Sequence, residues 1–224
     1  MNKNIPIIQT RLREHFIAVP ECIKEATGII INGRRIKSLI FTTDVALISN
    51  CNADAVIAVY PFTPTLEITQ TIIHVAKMPV LAGVGGGITS GERVNAIALD
   101  AELNGALGIV LNAPTKTEFV AELSKTVDIP IVLTVVSENE NIEERLYQSK
   151  ASIINVSGGK RTNQIIRKIR SIDSNFPIIA TGGSSDEMIK EAIASGANAI
   201  TYTPPTTGEI FKNIMDKYRK YVDK

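Results

Sequence analysis

Three glycine clusters and one lysine carry much of the chemistry the sequence offers. Gly85, Gly86 and Gly87 form the first cluster, Gly158 and Gly159 the second, and Gly182 and Gly183 the third. Each cluster closes an apolar run and precedes a stretch of helical period. Glycine lets the backbone approach an anion closely, and free N–H groups at the start of the following helix attract it. Ser157 and Ser184 flank the second and third clusters and could add hydroxyl donors. Lys160 follows the second cluster. At such a place a lysine can form a Schiff base once desolvation lowers its pKa, act as a point charge on phosphate, or remain a solvated loop residue. Gly85–Gly87 lacks the GxGxxG spacing of a dinucleotide site, and Gly159-Lys160-Arg161-Thr162 lacks the spaced leading glycine of a P-loop.

Polar residues interrupt otherwise apolar runs at Asn112, Thr134, Asn155, Thr181 and Tyr202. If these strand-end positions face inward they line a pocket floor, where a buried amide or hydroxyl needs a partner; a substrate, a water or a neighbouring strand would serve. The acid–base groups within reach are Glu138, Asp44 and Glu21. Asp44 also reads as a helix cap, and Glu138 shares its loop with Glu140 and so also reads as solvated. His15 and His74 are the two histidines, Cys22 and Cys51 the two cysteines, and none sits at ligand or triad spacing. The expectation is no metal site, no Ser/His/Asp or Cys/His nucleophile, and two thiols in a reducing compartment.

The elements that must position these residues alternate. Ile36–Phe41, Ala55–Tyr60, Pro79–Val84, Leu107–Asn112, Ile131–Val136, Ser152–Val156, Pro177–Thr181 and Ala197–Thr203 are short runs rich in Val and Ile with little charge. Such runs suit strands buried on both faces of a parallel sheet. Between them lie helical stretches over 64–77, 90–104, 115–126, 142–149, 161–171 and 186–195, with a polar helix from Gly208 onward. Along the 161–171 stretch and the residue after it, Ile165, Ile166, Ile169 and Ile172 share one face and Arg167, Lys168 and Arg170 the other. Gly28–Ile31, Asn32-Gly33 and Arg34 onward carry a two-residue hairpin signal. The fold class is α/β: a single TIM-type (β/α)8 barrel domain over 1–224, with 1–35 an N-terminal extension containing the β-hairpin and 36–224 the eight units. The extension closes the barrel bottom or pairs with a partner; the rival assignment makes Phe16–Val19 the first strand. An open doubly wound sheet rarely needs eight equal units.

Lys plus Arg is 24 against 23 Asp plus Glu, a balance that gives no support for binding nucleic acid or anionic lipid. The apolar runs are too short for a membrane span, and the first residues lack a secretory signal, so a cytoplasmic protein is expected.

Pro177-Ile-Ile-Ala-Thr-Gly-Gly183, a helix, and then Ser195-Gly-Ala-Asn-Ala-Ile200 resemble the closing units of aldolase-type and ribulose-phosphate-binding barrels. That resemblance implies a phosphate, of a phosphosugar, a related metabolite or FMN, held by the last two βα loops. On it, Ser157, Gly158, Gly159, Gly182, Gly183 and Ser184 would bind phosphate, and Lys160, Glu138, Asn112 and Asn155 would serve catalysis. The chain departs from the pattern at Thr203-Pro204-Pro205, where the family carries a glycine; proline offers no N–H there. At full length the chain also resembles proteins labelled hydrolase, without a hydrolytic mechanism in its residues. The resemblance implies an enzyme of isomerase, epimerase or lyase type acting on a small phosphorylated metabolite. It requires no cofactor, with FMN an alternative occupant, and a homo-oligomer is expected. The alternative is a barrel that binds a metabolite or FMN without turnover.

Overall fold

The computed structural model describes residues 6–8, 10, 16–183 and 185–222. Two short strands, β1 (Ile29–Ile31) and β2 (Arg34–Ile36), pair antiparallel with Ile29 opposite Ile36. Asn32 and Gly33 turn between them with φ of 48° and 79°, the left-handed pair that a two-residue hairpin requires. Eight parallel strands follow: β3 (Ser38–Phe41), β4 (Ala55–Ala58), β5 (Val80–Gly85), β6 (Gly108–Leu111), β7 (Ile131–Val135), β8 (Ile153–Val156), β9 (Ile178–Thr181) and β10 (Ala199–Tyr202). They close into a barrel in which β10 pairs with both β9 and β3. The first barrel strand is thus the Ile36–Phe41 run, while Ile17 makes only an isolated bridge to Cys51.

The helices are α1 (Val45–Ser49), α2 (Leu66–Val75), α3 (Glu92–Leu103), α4 (Thr117–Leu123), α5 (Ile142–Tyr147), α6 (Thr162–Ile172), α7 (Asp186–Ala194) and α8 (Thr207–Val222). None is long and apolar enough to cross a membrane.

Alternation along each strand sorts the core into two shells. Leu39, Ala55, Ile57, Leu81, Val110, Val132, Ile153, Ile179 and Ala199 fill the barrel interior. Ile40, Val56, Ile109, Leu133, Ile154 and Ile200 face outward onto Ile72, Val94, Leu123, Ile166 and Ile189 of the helices. Ile29, Ile31 and Ile36 of the hairpin join the interior shell, so the extension closes the bottom of the barrel. Asn198 fastens it there. Its carbonyl accepts from Gly28 N at 2.7 Å, and its Nδ2 donates to Thr27 Oγ1 at 2.9 Å.

Arg170 departs from the amphipathic expectation. It turns back from α6 to donate to Gly196 O at 2.8 Å, Phe176 O at 2.7 Å and Asn198 Oδ1 at 2.7 Å, which neutralises carbonyls at the base of β9 and β10. Arg167 and Lys168 stay exposed.

Asp44 caps α1, accepting from Ala46 N at 2.8 Å and Leu47 N at 3.3 Å, and it also accepts from the Thr207 hydroxyl at the start of α8. The Thr207 hydrogen bond, reinforced by the two cap N–H groups, holds its carboxyl below the ordinary aspartate range. A depressed folded-state pKa gives stability that is full above the unfolded value and lost as pH falls through the folded one. Asp44→Ala is therefore expected to cost about 1 kcal/mol at pH 7. Thermal melts should show the gap narrowing below about pH 4.

Candidate functional site

Strand parity brings a set of neutral polar side chains to the C-terminal end of the barrel. Thr134 pairs in register with Asn155, and Thr181 with Thr201, each continuing the inward-facing row of its strand. With Asn112 and Ser157 they line a cavity of about 510 Å³ whose apolar wall includes Phe41, Ile57, Val59 and Val110. Tyr202 has the opposite parity and packs against the outer shell, so the expectation that it lines the floor is corrected; Thr203 lines the cavity instead. No Asp, Glu, His, Lys or Arg lines this mouth among the described residues, and its one titratable side chain is Tyr60.

Two groups in the floor lack partners. Asn155 is 8% exposed and donates from Nδ2 to Thr134 Oγ1 at 3.2 Å, while its Oδ1 has no partner. Thr201 is 4% exposed, and its Oγ1 is likewise unpaired. Among the described residues only Asn95 Oδ1 and Ser195 Oγ share this condition, and neither lines the mouth.

A tight backbone knot positions Asn112. Its N–H donates to Gly85 O at 2.9 Å, and its carbonyl accepts from Thr115 N at 3.2 Å. Gly86 runs alongside with φ of 106°, and a Cβ there would stand 2.3 Å from Asn112 O and 2.6 Å from Thr115 Oγ1. Only glycine fits both the φ and the approach.

The residues expected to bind phosphate divide. Gly159, Lys160, Gly182 and Gly183 line a separate groove of about 300 Å³ together with Asn163 and Glu191. Thr181 is the wall shared between this groove and the mouth. Ser157 lines the mouth. Gly158 lies beneath, its N–H donated to Thr162 Oγ1 at 3.1 Å and a Cβ only 2.4 Å from Ile165 Cδ1. Gly182 N is engaged to Thr201 O at 3.1 Å, and Pro204 and Pro205 have no N–H to give. Ser184 lies outside the described residues. Lys160 sits in the short 3-10 turn Gly159–Arg161 at the edge of the groove and is exposed.

At the start of α7, Ser185 caps by accepting from Met188 N at 3.4 Å. Glu187 is held below the ordinary glutamate range by its own backbone N–H and the Ser185 hydroxyl, so its charge is engaged in the cap. Glu138 lines neither the mouth nor the groove. It pairs with Arg161 at 3.8 Å, and its carbonyl accepts from Lys168 Nζ at 2.6 Å. Glu140, in the same loop, is spent on Val136 N at 2.9 Å and Arg145 Nε at 3.1 Å. Cys22 is buried and Cys51 half-buried, both free, and burial pushes both thiols up.

Thr201 is a mouth residue that sequence reasoning overlooked. Its signal was present in Ala199-Ile200-Thr201, where an inward alanine two positions earlier sets the parity.

No protein-family model and no curated protein matches the chain. Solved structures do, as folds. Phosphonopyruvate hydrolase superimposes with a TM-score of 0.62 at 14% identity, over 86% of this chain and 95% of that one. Mandelate oxidase gives 0.61 at 17% identity, over 80% of this chain and 68% of that one. The 4-hydroxy-tetrahydrodipicolinate synthase of Methylacidiphilum fumariolicum gives 0.58 at 15% identity, over 79% of this chain and 66% of that one. The chain shares with them the closed eight-stranded parallel barrel, and the architecture expected from the closing units is the one observed.

Proposed function

We propose that the 224 residues form one small-molecule-binding barrel domain whose ligand is a phosphorylated metabolite with a neutral polar body. The observation that carries this reading is a neutral polar mouth two of whose lining residues, Asn155 and Thr201, each keep a buried atom, Oδ1 and Oγ1, without a partner. Buried polar groups left unpaired are expensive, and a bound ligand that donates to one and bonds the other repays the cost. A mouth lined by amides and hydroxyls without charge suits a body of hydroxyl or carbonyl groups. Lys160, with the backbone of Gly159 and Gly183, would meet the phosphate in the adjoining groove, Thr181 would bridge the two, and Ser157 would contact the ligand from the mouth side.

Turnover of isomerase, epimerase or lyase type is the second reading. What favours it is the shared wall at Thr181, which brings the Lys160 groove to the edge of the mouth where Asn112 and Asn155 would hold the reacting end. Glu138 would join only after release from Arg161. Hydrolysis has no support in the geometry, since the mouth holds no nucleophile beside a base among its lining residues.

The residues do not fit a cation of the kind present with oxalate in one phosphonopyruvate hydrolase structure. Among the described residues no three His, Cys, Asp or Glu side chains gather into a site. FMN, present as an adduct in a mandelate oxidase structure, would place its phosphate in the same Lys160 groove as any phosphorylated metabolite. Gly158 N and Gly182 N are engaged, and Pro204 and Pro205 after β10 have no N–H to give, so that contact would fall to Lys160 with the backbone of Gly159 and Gly183. We therefore assign no cation to the mouth.

The test is thermal unfolding with and without inorganic phosphate and phosphosugars. A ligand at 100-fold its Kd stabilises by about 2.7 kcal/mol, which for this size is roughly 5–10 °C. The shift should shrink in Lys160→Ala, an exposed position that leaves the fold intact. Absence of any shift across the phosphates would overturn the reading.

A further inference from the structure

The mouth has a second annex, on the side away from Lys160. A cavity of about 460 Å³ opens beneath the loops that follow β4 and β5, and it shares Val59, Tyr60, Pro61 and Asn112 with the mouth. No charged side chain lines it among the described residues. Phe62 and Ile88 stand at its rim, Phe62 76% exposed and Ile88 fully exposed. A large aliphatic side chain in open solvent beside a cavity gains nothing for the fold, since hydrophobic stabilisation requires removal from water. It is nevertheless held in place: Gly86 N donates to Thr89 O at 2.9 Å, closing the turn that presents Ile88.

From this continuity we infer that the ligand is elongated and carries an apolar, aromatic-sized substituent that fills this bay and is covered by Phe62 and Ile88. The inference rests on the proposed binding of a phosphorylated metabolite and adds its class: phosphate at the Lys160 groove, a polar neutral body over Asn155 and Thr201, and a hydrocarbon end against Pro61 and Phe62. An apolar group there would bury its own surface together with that of the two rim side chains. The bay is assigned to the same ligand because Asn112 and Tyr60 border both spaces and no ridge of charge separates them.

Three probes test it by calorimetry: glucose 6-phosphate, 4-nitrophenyl β-D-glucopyranoside 6-phosphate, and the same aryl glucoside without phosphate. The aryl phosphate is expected to bind at least tenfold more tightly than glucose 6-phosphate. Ile88→Asp should remove that gain while leaving glucose 6-phosphate binding unchanged; because Ile88 is fully exposed the variant folds, and a thermal melt verifies it. Equal affinity of the two phosphates would overturn the elongated ligand and leave the phosphate reading standing. Binding of the unphosphorylated aryl glucoside alone, lost in Ile88→Asp, would support the bay and overturn the phosphate reading. No binding of any probe would overturn both.

Discussion

A chain carrying Asn155→Leu together with Thr134→Val is expected to be more stable than its parent and unable to bind its ligand. Asn155 and Thr134 are 8% and 6% exposed, and they share one hydrogen bond that leaves Asn155 Oδ1 without a partner. An unsatisfied buried polar group costs about 1–3 kcal/mol, whereas replacing both partners of a hydrogen bond by apolar groups of the same shape is neutral or stabilising. Leucine and valine match the shapes removed, so the double variant should gain about 1–3 kcal/mol. In a domain of this size that is roughly 2–12 °C in melting temperature. Ligand affinity should fall at least 100-fold. The opposite signs are what discriminate. If the double variant melts lower than the parent, the amide serves the core and the mouth is no site. Thr134→Val alone should destabilise, because it strands Asn155 Nδ2 as well.

Gly86→Ala should be the most damaging single methyl group added to the molecule's upper face. It strains a backbone at φ 106° and drives Cβ to 2.3 Å from the carbonyl of Asn112, which is backbone and cannot swing away. About 3 kcal/mol or more is expected from strain and steric displacement together. The melting temperature would drop by roughly 6–12 °C. Gly87→Ala is the comparison. It shares the left-handed backbone with φ 70°, but its Cβ meets nothing closer than Pro114 Cδ at 3.6 Å. Only the cost of the left-handed conformation remains, about 1–2 kcal/mol. Similar losses in the two variants would show that the Gly86–Asn112 approach does not position the mouth. A larger loss in Gly86→Ala, with ligand binding gone, would show that it does.

The barrel is legible because parallel strands buried on both faces read as unbroken Val and Ile runs; seven of the eight runs contain a barrel strand whole, and β5 passes the end of its run by one residue, Gly85. Asn32-Gly33 announces the hairpin by local backbone preference alone. Helix limits are less legible: the 64–77 stretch narrows to Leu66–Val75, since period continues past the residues whose carbonyls still find partners. In the site, Asn112, Thr134, Asn155 and Thr181 are visible as polar interruptions. Tyr202 misleads because a one-residue step reverses the face. The glycines show where the chain turns, not whether their N–H groups are free. Gly158 is spent on Thr162 and Gly182 on the neighbouring strand, partners that depend on the assembled barrel. Arg170 looks like a solvated helix residue until β9 and β10 bring carbonyls to it. The bay escapes altogether, because Phe62 and Ile88 come from loops after different strands.

The clasp between Thr27 and Asn198, 171 positions apart, has a consequence for how the chain is born. Strands β3 to β9 pair with sequence neighbours and can assemble as they are made, but the seam needs β10, which is made last of the eight. Contacts so distant in sequence form late. Until then β3 and β9 are open edges, each able to recruit a strand from another chain. The interval between synthesis of β9 and closure by β10 is therefore when the nascent protein is most exposed to aggregation, and because Asn198 is made in the same interval, the hairpin too stays unfastened until the seam closes.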